Sequence, residues 1–349
     1  MTGLIDKIQP LDQAAMNQAR TRQATLTKPP GSLGRLEDLS IQMAGIRGQA
    51  LPKIDRKAVI VMAGDHGVVA EGVSAYPQEV TAQMVQNFLA GGAAINVLAR
   101  QAGARVIVTD MGVATDIPKH PDLRVKKIGY VTANIARGPA MSADQAAQAL
   151  LAGAEIVTEQ CRLGLDVLAT GDMGIGNTTP SAAIAAAVMG IDPEEIAGRG
   201  TGVNDEGLRR KIAAIRRALE VNQPDPDDGL DLLAKVGGYE IGGIAGAILA
   251  AAAERKAVVV DGFISTAATM IAVLLAPNVR GYLIAAHSSQ ERGHHLMMDW
   301  LGLEPLLDLR MRLGEGTGAA LAMSLLEAAC RVLSEMATFD EAGVSSREA

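Results

Sequence analysis

The sequence predicts an α/β protein with a mainly parallel, doubly wound β-sheet. Five short runs rich in β-branched residues recur along its 349 residues, and each run leads into glycine or a small polar residue. Stretches with helical periodicity lie between these runs. Continuous apolar strands of this kind suit a sheet that is buried on both faces. An alternation of strands and helices is typical of doubly wound sheets.

The first segment of the chain has no strand signal. Within residues 1–50, four apolar residues share one face of a predicted helix: Leu36, Leu39, Met43 and Ile46. Near the other end, residues 319–338 have the pattern of a single helix. We therefore expect a small helical subdomain built from both termini, residues 1–50 together with 305–349, beside an α/β domain of residues 51–304.

The strands and helices of the predicted α/β domain follow in order. The strand runs are 57–67, 104–112, 165–174, 256–263 and 280–289. Between them, the helix predicted at 141–161 opens with Ser142 and Gln145 at capping-box spacing. A second predicted helix, 204–220, has one apolar face. The apolar run 241–253 is too short for a membrane span, which needs roughly 20 residues, and predicts a buried helix.

The composition excludes some classes of function. The chain is 48% hydrophobic, which allows a sizeable core, and its net charge of −7 disfavours a general nucleic-acid binder, which would need a basic face. Cys161 and Cys330 form neither a metal pattern nor a disulfide framework. The N-terminal stretch lacks the apolar core of a signal peptide. We expect a cytoplasmic protein that acts without nucleic acid or membrane.

Two glycine-rich loops before predicted helices are candidate anion sites. The first contains Gly171, Gly174 and Gly176, followed by the helix-capping residue types Asn177 and Thr178. The second contains Gly200, Thr201 and Gly202. A glycine loop that runs into a helix N-terminus can bind a phosphate or carboxylate. An ordinary β–α turn is the alternative, but three glycines exceed what one turn needs.

Lys211 and three isolated acids are the remaining candidate functional residues. Lys211 lies on the flank of the apolar face of the 204–220 helix, where it can either reach a phosphate or snorkel along the surface, and spacing leaves both open. The acids are Asp172, Asp261 and Glu315. Glu315 lies between two glycines just before a predicted helix, so it can serve simply as a helix cap.

Several common chemistries have no signature here. The sequence lacks a G-x-G-x-x-G fingerprint after the first strand, a Walker A motif and a G-x-S-x-G nucleophile elbow. Its histidines do not have metal-ligand spacing. The residues alone therefore predict a protein that binds a small phosphorylated molecule, with an enzyme favoured over a pure binding module and the reaction left open.

Six motifs, in this order, resemble the nicotinate-nucleotide–dimethylbenzimidazole phosphoribosyltransferase family. They are KPPGSLGRLEDL (28–39), GDHGVVAEGVSAYPQEVT (64–81), GDMGIGNTTPSAA (171–183), KVGGYEIGGIAG (235–246), DGFISTAA (261–268) and RLGEGTGAALAM (312–323). The resemblance implies a Rossmann-like fold, a homodimer, and no metal or cofactor. It implies transfer of the phosphoribosyl group of nicotinate mononucleotide to 5,6-dimethylbenzimidazole, giving α-ribazole 5′-phosphate and nicotinate in cobalamin lower-ligand assembly.

The resemblance also implies roles for individual residues. The family's catalytic base lies in its R-L-G-E-G motif, which here contains Glu315. Positions that match the nucleotide site are Gly174, Gly176, Asn177, Thr178, Gly200, Thr201 and Lys211, with Lys211 at the phosphate. Asp261 and Ser289 match further positions on the nucleotide side, and Tyr76 and Met84 fall where the family lines its benzimidazole pocket.

Three positions depart from some family members. Asp172 replaces a glutamate, which suits a supporting role better than a strictly geometric one. Tyr76 and Met84 replace a small hydroxyl residue and a glutamine, which leaves open a related benzimidazole, a purine or a phenolic as acceptor, and plain packing for both side chains. Two further alternatives are a non-catalytic nucleotide sensor and a magnesium-dependent enzyme that uses phosphoribosyl pyrophosphate.

Overall fold

Six parallel strands form a single sheet in the order β3-β2-β1-β4-β5-β6, within a computed structural model that describes residues 2–345. This is the strand order of a doubly wound Rossmann sheet, in which the order reverses between β1 and β4. The predicted fold class is confirmed. The strands are β1 (Lys57–Gly64), β2 (Ala104–Gly112), β3 (Leu123–Val125), β4 (Val167–Met173), β5 (Ala257–Val260) and β6 (Leu283–Ala285).

The five predicted strands are all present, and the sequence missed only β3. The predicted run 104–112 coincides with β2, and the other four runs extended past the carboxyl end of their strands into the loop that follows. The missed strand has three residues, pairs only with β2 at one edge of the sheet, and ends in an exposed Val125. A half-solvated edge strand of this length has no continuous apolar run to reveal it.

Helices cover both faces of the sheet, and the predicted helices are confirmed with small shifts at their ends. At the start of α6, Ser142 and Gln145 form the predicted capping box. The helices are α1 (Thr2–Ile5), α2 (Gln13–Thr25), α3 (Arg35–Arg47), α4 (Glu79–Leu89), α5 (Ala94–Gln101), α6 (Ala143–Arg162), α7 (Thr178–Met189), α8 (Pro193–Ile196), α9 (Asp205–Asn222), α10 (Gly229–Val236), α11 (Tyr239–Ala253), α12 (Phe263–Leu275), α13 (His294–Leu301), α14 (Thr317–Glu335) and α15 (Phe339–Ala342).

Helices from both ends of the chain pack together, as the sequence predicted. Helices α2 and α3 contact each other and α14, and a small apolar cluster between them joins Ala19, Ala44 and Leu333. Helix α14 also packs on β4 and β5, so it links this bundle to the sheet. By length and mean hydropathy alone, α14 is the one helix among residues 2–345 that could cross a membrane, and it belongs to this core. The boundaries of the two domains stay a prediction.

Helix α11 is buried from Tyr239 to Ala252, as expected of the apolar run 241–253. It lies in backbone contact with α6, because a Cβ at Gly153 would lie 1.8 Å from Gly243 O and one at Gly246 would lie 1.8 Å from Leu150 O. Only glycine permits this approach. The contact places the first turn of α11 beneath the carboxyl ends of the central strands.

Candidate active site

A cavity of about 640 Å³ opens at the carboxyl ends of β4, β5 and β6. Ligand sites in doubly wound sheets lie at this end of the strands. Ten of the thirteen predicted site residues line the cavity: Tyr76, Met84, Asp172, Gly174, Asn177, Thr178, Gly200, Thr201, Ser289 and Glu315. The other three, Gly176, Lys211 and Asp261, are not among its lining residues. The structure therefore brings most of the predicted residues together in one place.

Glu315 lies in a backbone conformation that is rare for a residue with a side chain. Its φ is +63°, and its neighbours Gly314 and Gly316 also have positive φ. One carboxylate oxygen, Oε2, accepts a hydrogen bond of 3.4 Å from the backbone N–H of Ile95, in the first turn of α5. The sequence suggested that Glu315 caps the helix that follows it, α14. Its hydrogen bond is instead to the first turn of α5.

The surroundings make Glu315 more basic than a free glutamate. Burial raises the pKa of the Glu315 carboxyl, the Ile95 N–H opposes that rise, and the charge of Asp261 adds to it. Desolvation therefore has a larger effect on this pKa than the hydrogen bond from the helix amide. The result is a carboxylate at the cavity wall with an increased capacity to accept a proton.

Asp261 supports the turn that contains Glu315. Its Oδ2 accepts a hydrogen bond of 3.1 Å from Gly316 N–H, and its Oδ1 accepts one of 2.9 Å from Ala319 N–H. These are free amides at the start of α14, and a carboxylate there is favoured by the helix dipole. The side chain is fully buried behind the cavity wall. The predicted place of Asp261 on the nucleotide side stays a prediction, and its visible contacts are those of a helix cap.

Asp172 is a buried acid at the end of β4. Burial and then the charge of Asp261 raise the pKa of its carboxyl to about 8, against the hydrogen bond from Asn177. Its Oδ2 accepts 2.9 Å from Asn177 Nδ2, while Oδ1 has no partner. At neutral pH this group is mostly a protonated acid that can donate a hydrogen bond into the cavity. The sequence did not reveal this protonation state.

The first glycine loop packs against the β1 loop. A Cβ at Gly174 would lie 2.3 Å from Gly64 O, and one at Gly176, where φ is +91°, would lie 2.7 Å from Val69 Cγ2. The Asn177 side chain makes no helix-capping bond, although its residue type suggested one, because its amide donates to Asp172 instead. The loop therefore places its own backbone and Thr178 in the cavity wall, and the Asn177 hydrogen bond connects it to Asp172.

Lys211 lies beside the second glycine loop, where the sequence analysis predicted a phosphate. Its side chain is 1% exposed, which decides against a snorkelling surface lysine. Nζ donates 2.9 Å to Thr178 Oγ1 and 3.2 Å to Gly198 O. Burial lowers the pKa of Lys211 to about 8, and the attraction of Glu291 opposes that fall. A buried cation with only one nearby carboxylate is a strong attractor for a phosphate.

Glu291 is the residue near Lys211 that the sequence analysis missed. Its carboxylate lines the cavity, and its Oε2 accepts 3.3 Å from Gly200 N–H. Its own N–H donates to Ser289 Oγ. It thus supplies a negative charge beside the glycine loop and Lys211, where the sequence predicts a phosphate. A glutamate in a polar QER segment gives no sequence signal of such a position.

Part of the cavity lining is apolar, and it comprises Tyr76, Val80, Met84, Ile175 and Leu313. The Tyr76 side chain is 54% exposed, so it borders the mouth and does not belong to the core. A cavity with apolar side chains and a carboxylate among its lining residues can accommodate a flat, uncharged heterocycle. Among the described residues, no group of three or more His, Cys, Asp or Glu could hold a metal ion.

Comparison with known proteins identifies the family. A phosphoribosyltransferase family model matches residues 8–344. The nicotinate-nucleotide–dimethylbenzimidazole phosphoribosyltransferase of Roseiflexus sp. strain RS-1 is 61% identical, over 98% of this chain and 97% of its own. The chain belongs to the nicotinate-nucleotide–dimethylbenzimidazole phosphoribosyltransferase family.

Other members of the family agree along nearly their whole length. The Chloroflexus aggregans nicotinate-nucleotide–dimethylbenzimidazole phosphoribosyltransferase is 60% identical over all of this chain and 99% of its own. The crystal structure of CobT from Thermus thermophilus is 52% identical, covers 96% of this chain and all of that one, and has a TM-score of 0.93. The predicted resemblance is confirmed, and the chain is a transferase.

Proposed function

We propose that this protein transfers the phosphoribosyl group of nicotinate mononucleotide to 5,6-dimethylbenzimidazole or a closely related base, in cobalamin lower-ligand assembly. The observation that carries the proposal is the polarity of the cavity. A buried lysine lies behind its glycine loops, apolar side chains line part of its wall, and Glu315 lines it as well. That arrangement fits a phosphorylated donor and a flat acceptor that meet at one carboxylate. The donor named by the relatives fits the charged part of this arrangement.

The reaction needs little from the protein beyond position and one base. The pyridinium of the donor is already a good leaving group, so no acid is needed to expel it. A ring nitrogen of the acceptor forms a bond to the anomeric carbon while the C–N bond to nicotinate breaks, and its electron pair neutralises the pyridinium. The configuration inverts from β to α. The acceptor's second nitrogen then holds a surplus proton, which Glu315 removes.

The site residues divide between the two substrates. On the donor side we assign Lys211, Thr178 and the glycine loops that contain Gly174, Gly176 and Gly200 to the phosphate, with Asn177, Thr201 and Ser289 around it. On the acceptor side we assign Tyr76 and Met84 to the heterocycle. Asp172 donates a hydrogen bond from its protonated carboxyl, supported by its buried position at the end of β4. Asp261 acts by holding the Glu315 turn.

The setting of the enzyme is also part of the proposal. We infer a homodimer that uses small-molecule substrates, needs no metal or cofactor, and works in the cytoplasm. The helical bundle, residues 1–50 with 305–349, is proposed as a domain separate from residues 51–304. The packing of α2 and α3 on α14 supports that division.

One assay tests the proposed reaction. Purified protein mixed with nicotinate mononucleotide should release nicotinate only when an acceptor base is added, and the release should persist with a metal chelator present. No release with any benzimidazole or purine would overturn the proposal. Offering dimethylbenzimidazole, benzimidazole, adenine and phenol together, and identifying the riboside products, then gives the order of preference.

A further inference from the structure

His287 is a buried side chain whose polar atoms have no partner. It follows β6, is 1% exposed, and lines the active-site cavity. Neither Nδ1 nor Nε2 makes a hydrogen bond to protein. Buried polar atoms are nearly always bonded, so an imidazole with two free nitrogens beside a ligand cavity indicates a contact that the ligand completes.

The ring is fixed in place by close neighbours. A Cβ at Gly318 would lie 2.0 Å from His287 Cδ2, and one at Gly262 would lie 3.5 Å from Nε2, so glycines on two sides leave the space that the ring fills. The ring of His294 stacks beside it, with centroids 6.3 Å apart. Both ring nitrogens of His294 have hydrogen-bond partners, because Ser289 N–H donates to Nδ1 and Thr266 Oγ1 forms a hydrogen bond with Nε2. His287 is therefore held rigidly and is the free imidazole of the pair.

The topology indicates which part of the donor lies at His287. In a doubly wound sheet the loop after the first strand of each half binds the phosphate, and an acid beyond a neighbouring strand takes a ribose hydroxyl. Here the β4 loop supplies the phosphate end, and the acid after β5 is Asp261. Both oxygens of Asp261 accept bonds from amides of α14. That acid is not free for the sugar, whereas His287, which follows the next strand, has no hydrogen-bond partner.

We propose that His287 hydrogen-bonds a ribose hydroxyl of the mononucleotide donor and so sets the selectivity for a ribose over a deoxyribose. Neutral imidazole has one donor and one acceptor nitrogen, and a hydroxyl can meet either. Asp261 Oδ1 lies 3.9 Å from Nε2, which is too far for a hydrogen bond, so both ring nitrogens stay available to the sugar. This inference rests on the proposed function, since it needs a ribonucleotide donor.

A cycle of substitutions in enzyme and substrate tests the proposal. The enzymes are the wild type, His287→Gln and His287→Asn, with His120→Asn as a matched control on a partly exposed histidine outside the cavity. The substrates are nicotinate mononucleotide and its 2′-deoxy and 3′-deoxy analogues. With one of the analogues, the wild type should lose about 5- to 20-fold in kcat/KM, the usual effect of one hydrogen bond. The His287 variants should lose about that factor with the ribonucleotide and almost nothing further with the same analogue.

Non-additivity is the decisive result, because a merely structural role of His287 predicts otherwise. If removal of His287 lowers kcat/KM by the same factor for ribo- and deoxy-substrates, the proposed contact is wrong. If neither variant folds, the wild type decides: equal rates on all three nucleotides overturn the proposal, and a loss confined to one analogue supports it. A wild type that transfers no phosphoribosyl group refutes the proposed function, and calorimetric binding of the three nucleotides then tests His287 alone.

Discussion

At the residue scale, Glu315 combines a strained backbone with a buried carboxylate. A positive φ at a non-glycine residue costs on the order of 1 kcal/mol and is held only where the surroundings fix it. Here Asp261 fixes the turn from behind, through the amides of Gly316 and Ala319. The sequence predicted an acid in a glycine loop before a helix. It could not predict the left-handed backbone or the Ile95 contact, since both arise from packing between segments distant in the chain.

The first prediction concerns Glu315 as the base. Glu315→Gln keeps the shape and removes the proton acceptor, so kcat should fall about 10²- to 10⁴-fold while substrate affinity changes little. Because burial raises the pKa of Glu315 above its ordinary value of 4.5, wild-type activity should fall as the pH drops through that raised pKa. Steady-state kinetics against pH measure both effects. Glu220→Gln, on an exposed glutamate, is the control, and a near-normal rate for Glu315→Gln would leave Glu315 as a helix cap.

The second prediction concerns the protonation of Asp172. Its carboxyl has a pKa of about 8 in the folded protein and an ordinary value of 3.8 in the unfolded chain. Between those pH values the unfolded state has lost a proton that the folded state keeps, so rising pH favours unfolding by about 1.4 kcal/mol per unit from this group. Asp172→Asn removes that dependence. The melting temperature of Asp172→Asn minus that of the wild type should therefore increase from pH 4 to pH 8. A difference that stays constant over this range would contradict the shifted pKa of Asp172.

The third prediction concerns Lys211 at the phosphate end. Lys211→Met should raise KM for nicotinate mononucleotide by about 10- to 100-fold, because one charge-assisted hydrogen bond is lost, with a smaller change in kcat. In the wild type without ligand, the lysine has a pKa of about 8 and loses its charge above it, so nucleotide affinity should decrease as the pH rises through 8. Lys119→Met, on an exposed lysine, is the control. An unchanged KM would remove Lys211 from the phosphate site.

At the element scale, the glycine-rich motifs serve two different purposes. Gly174 and Gly176 allow the loop after β4 to pack closely against Gly64 and Val69, whereas the sequence analysis predicted an anion site at these glycines. Gly153 and Gly246 allow α6 and α11 to touch through their backbones, which it did not anticipate. A glycine inside a helical pattern does not reveal the neighbour it makes room for, since that neighbour is a helix distant in the chain. Strand β3 was missed for a related reason, because only its pairing with β2 makes it a strand.

The fourth prediction tests the backbone contact between α6 and α11. Gly246→Ala places a methyl carbon 1.8 Å from Leu150 O, so the two helices must separate, at a cost of about 1–3 kcal/mol or more. Thermal or chemical denaturation should show the loss. Gly138→Ala is the matched control, because a Cβ at Gly138 meets nothing within 4 Å. Equal stability of the two variants would mean that this packing is looser than the structure indicates.

At the scale of the whole molecule, the strand order explains why most of the predicted site residues come together. Polar, glycine-rich stretches after every predicted strand must converge when the strands are parallel, and ten of the predicted residues do line one cavity. What the topology could not give is the depth of each side chain. Lys211 and Asp261 lie behind the wall, while Glu291 and His287 reach the cavity without any motif to mark them. Depth depends on packing across the sheet, which no local pattern encodes.

The fifth prediction uses the stability of the whole protein to detect its donor. A ligand that binds only the folded state stabilises it by about 2.7 kcal/mol at one hundred times its dissociation constant, so nicotinate mononucleotide should raise the melting temperature in proportion to the logarithm of its concentration. Nicotinate riboside, which lacks the phosphate, should produce a much smaller rise at equal concentration. Without the phosphate, the negative charge near Lys211 is that of Glu291 alone. Lys211→Met should abolish the difference between the two ligands. Equal shifts in the wild type would show that the buried lysine does not bind the phosphate, whatever the protein then does with the nucleotide.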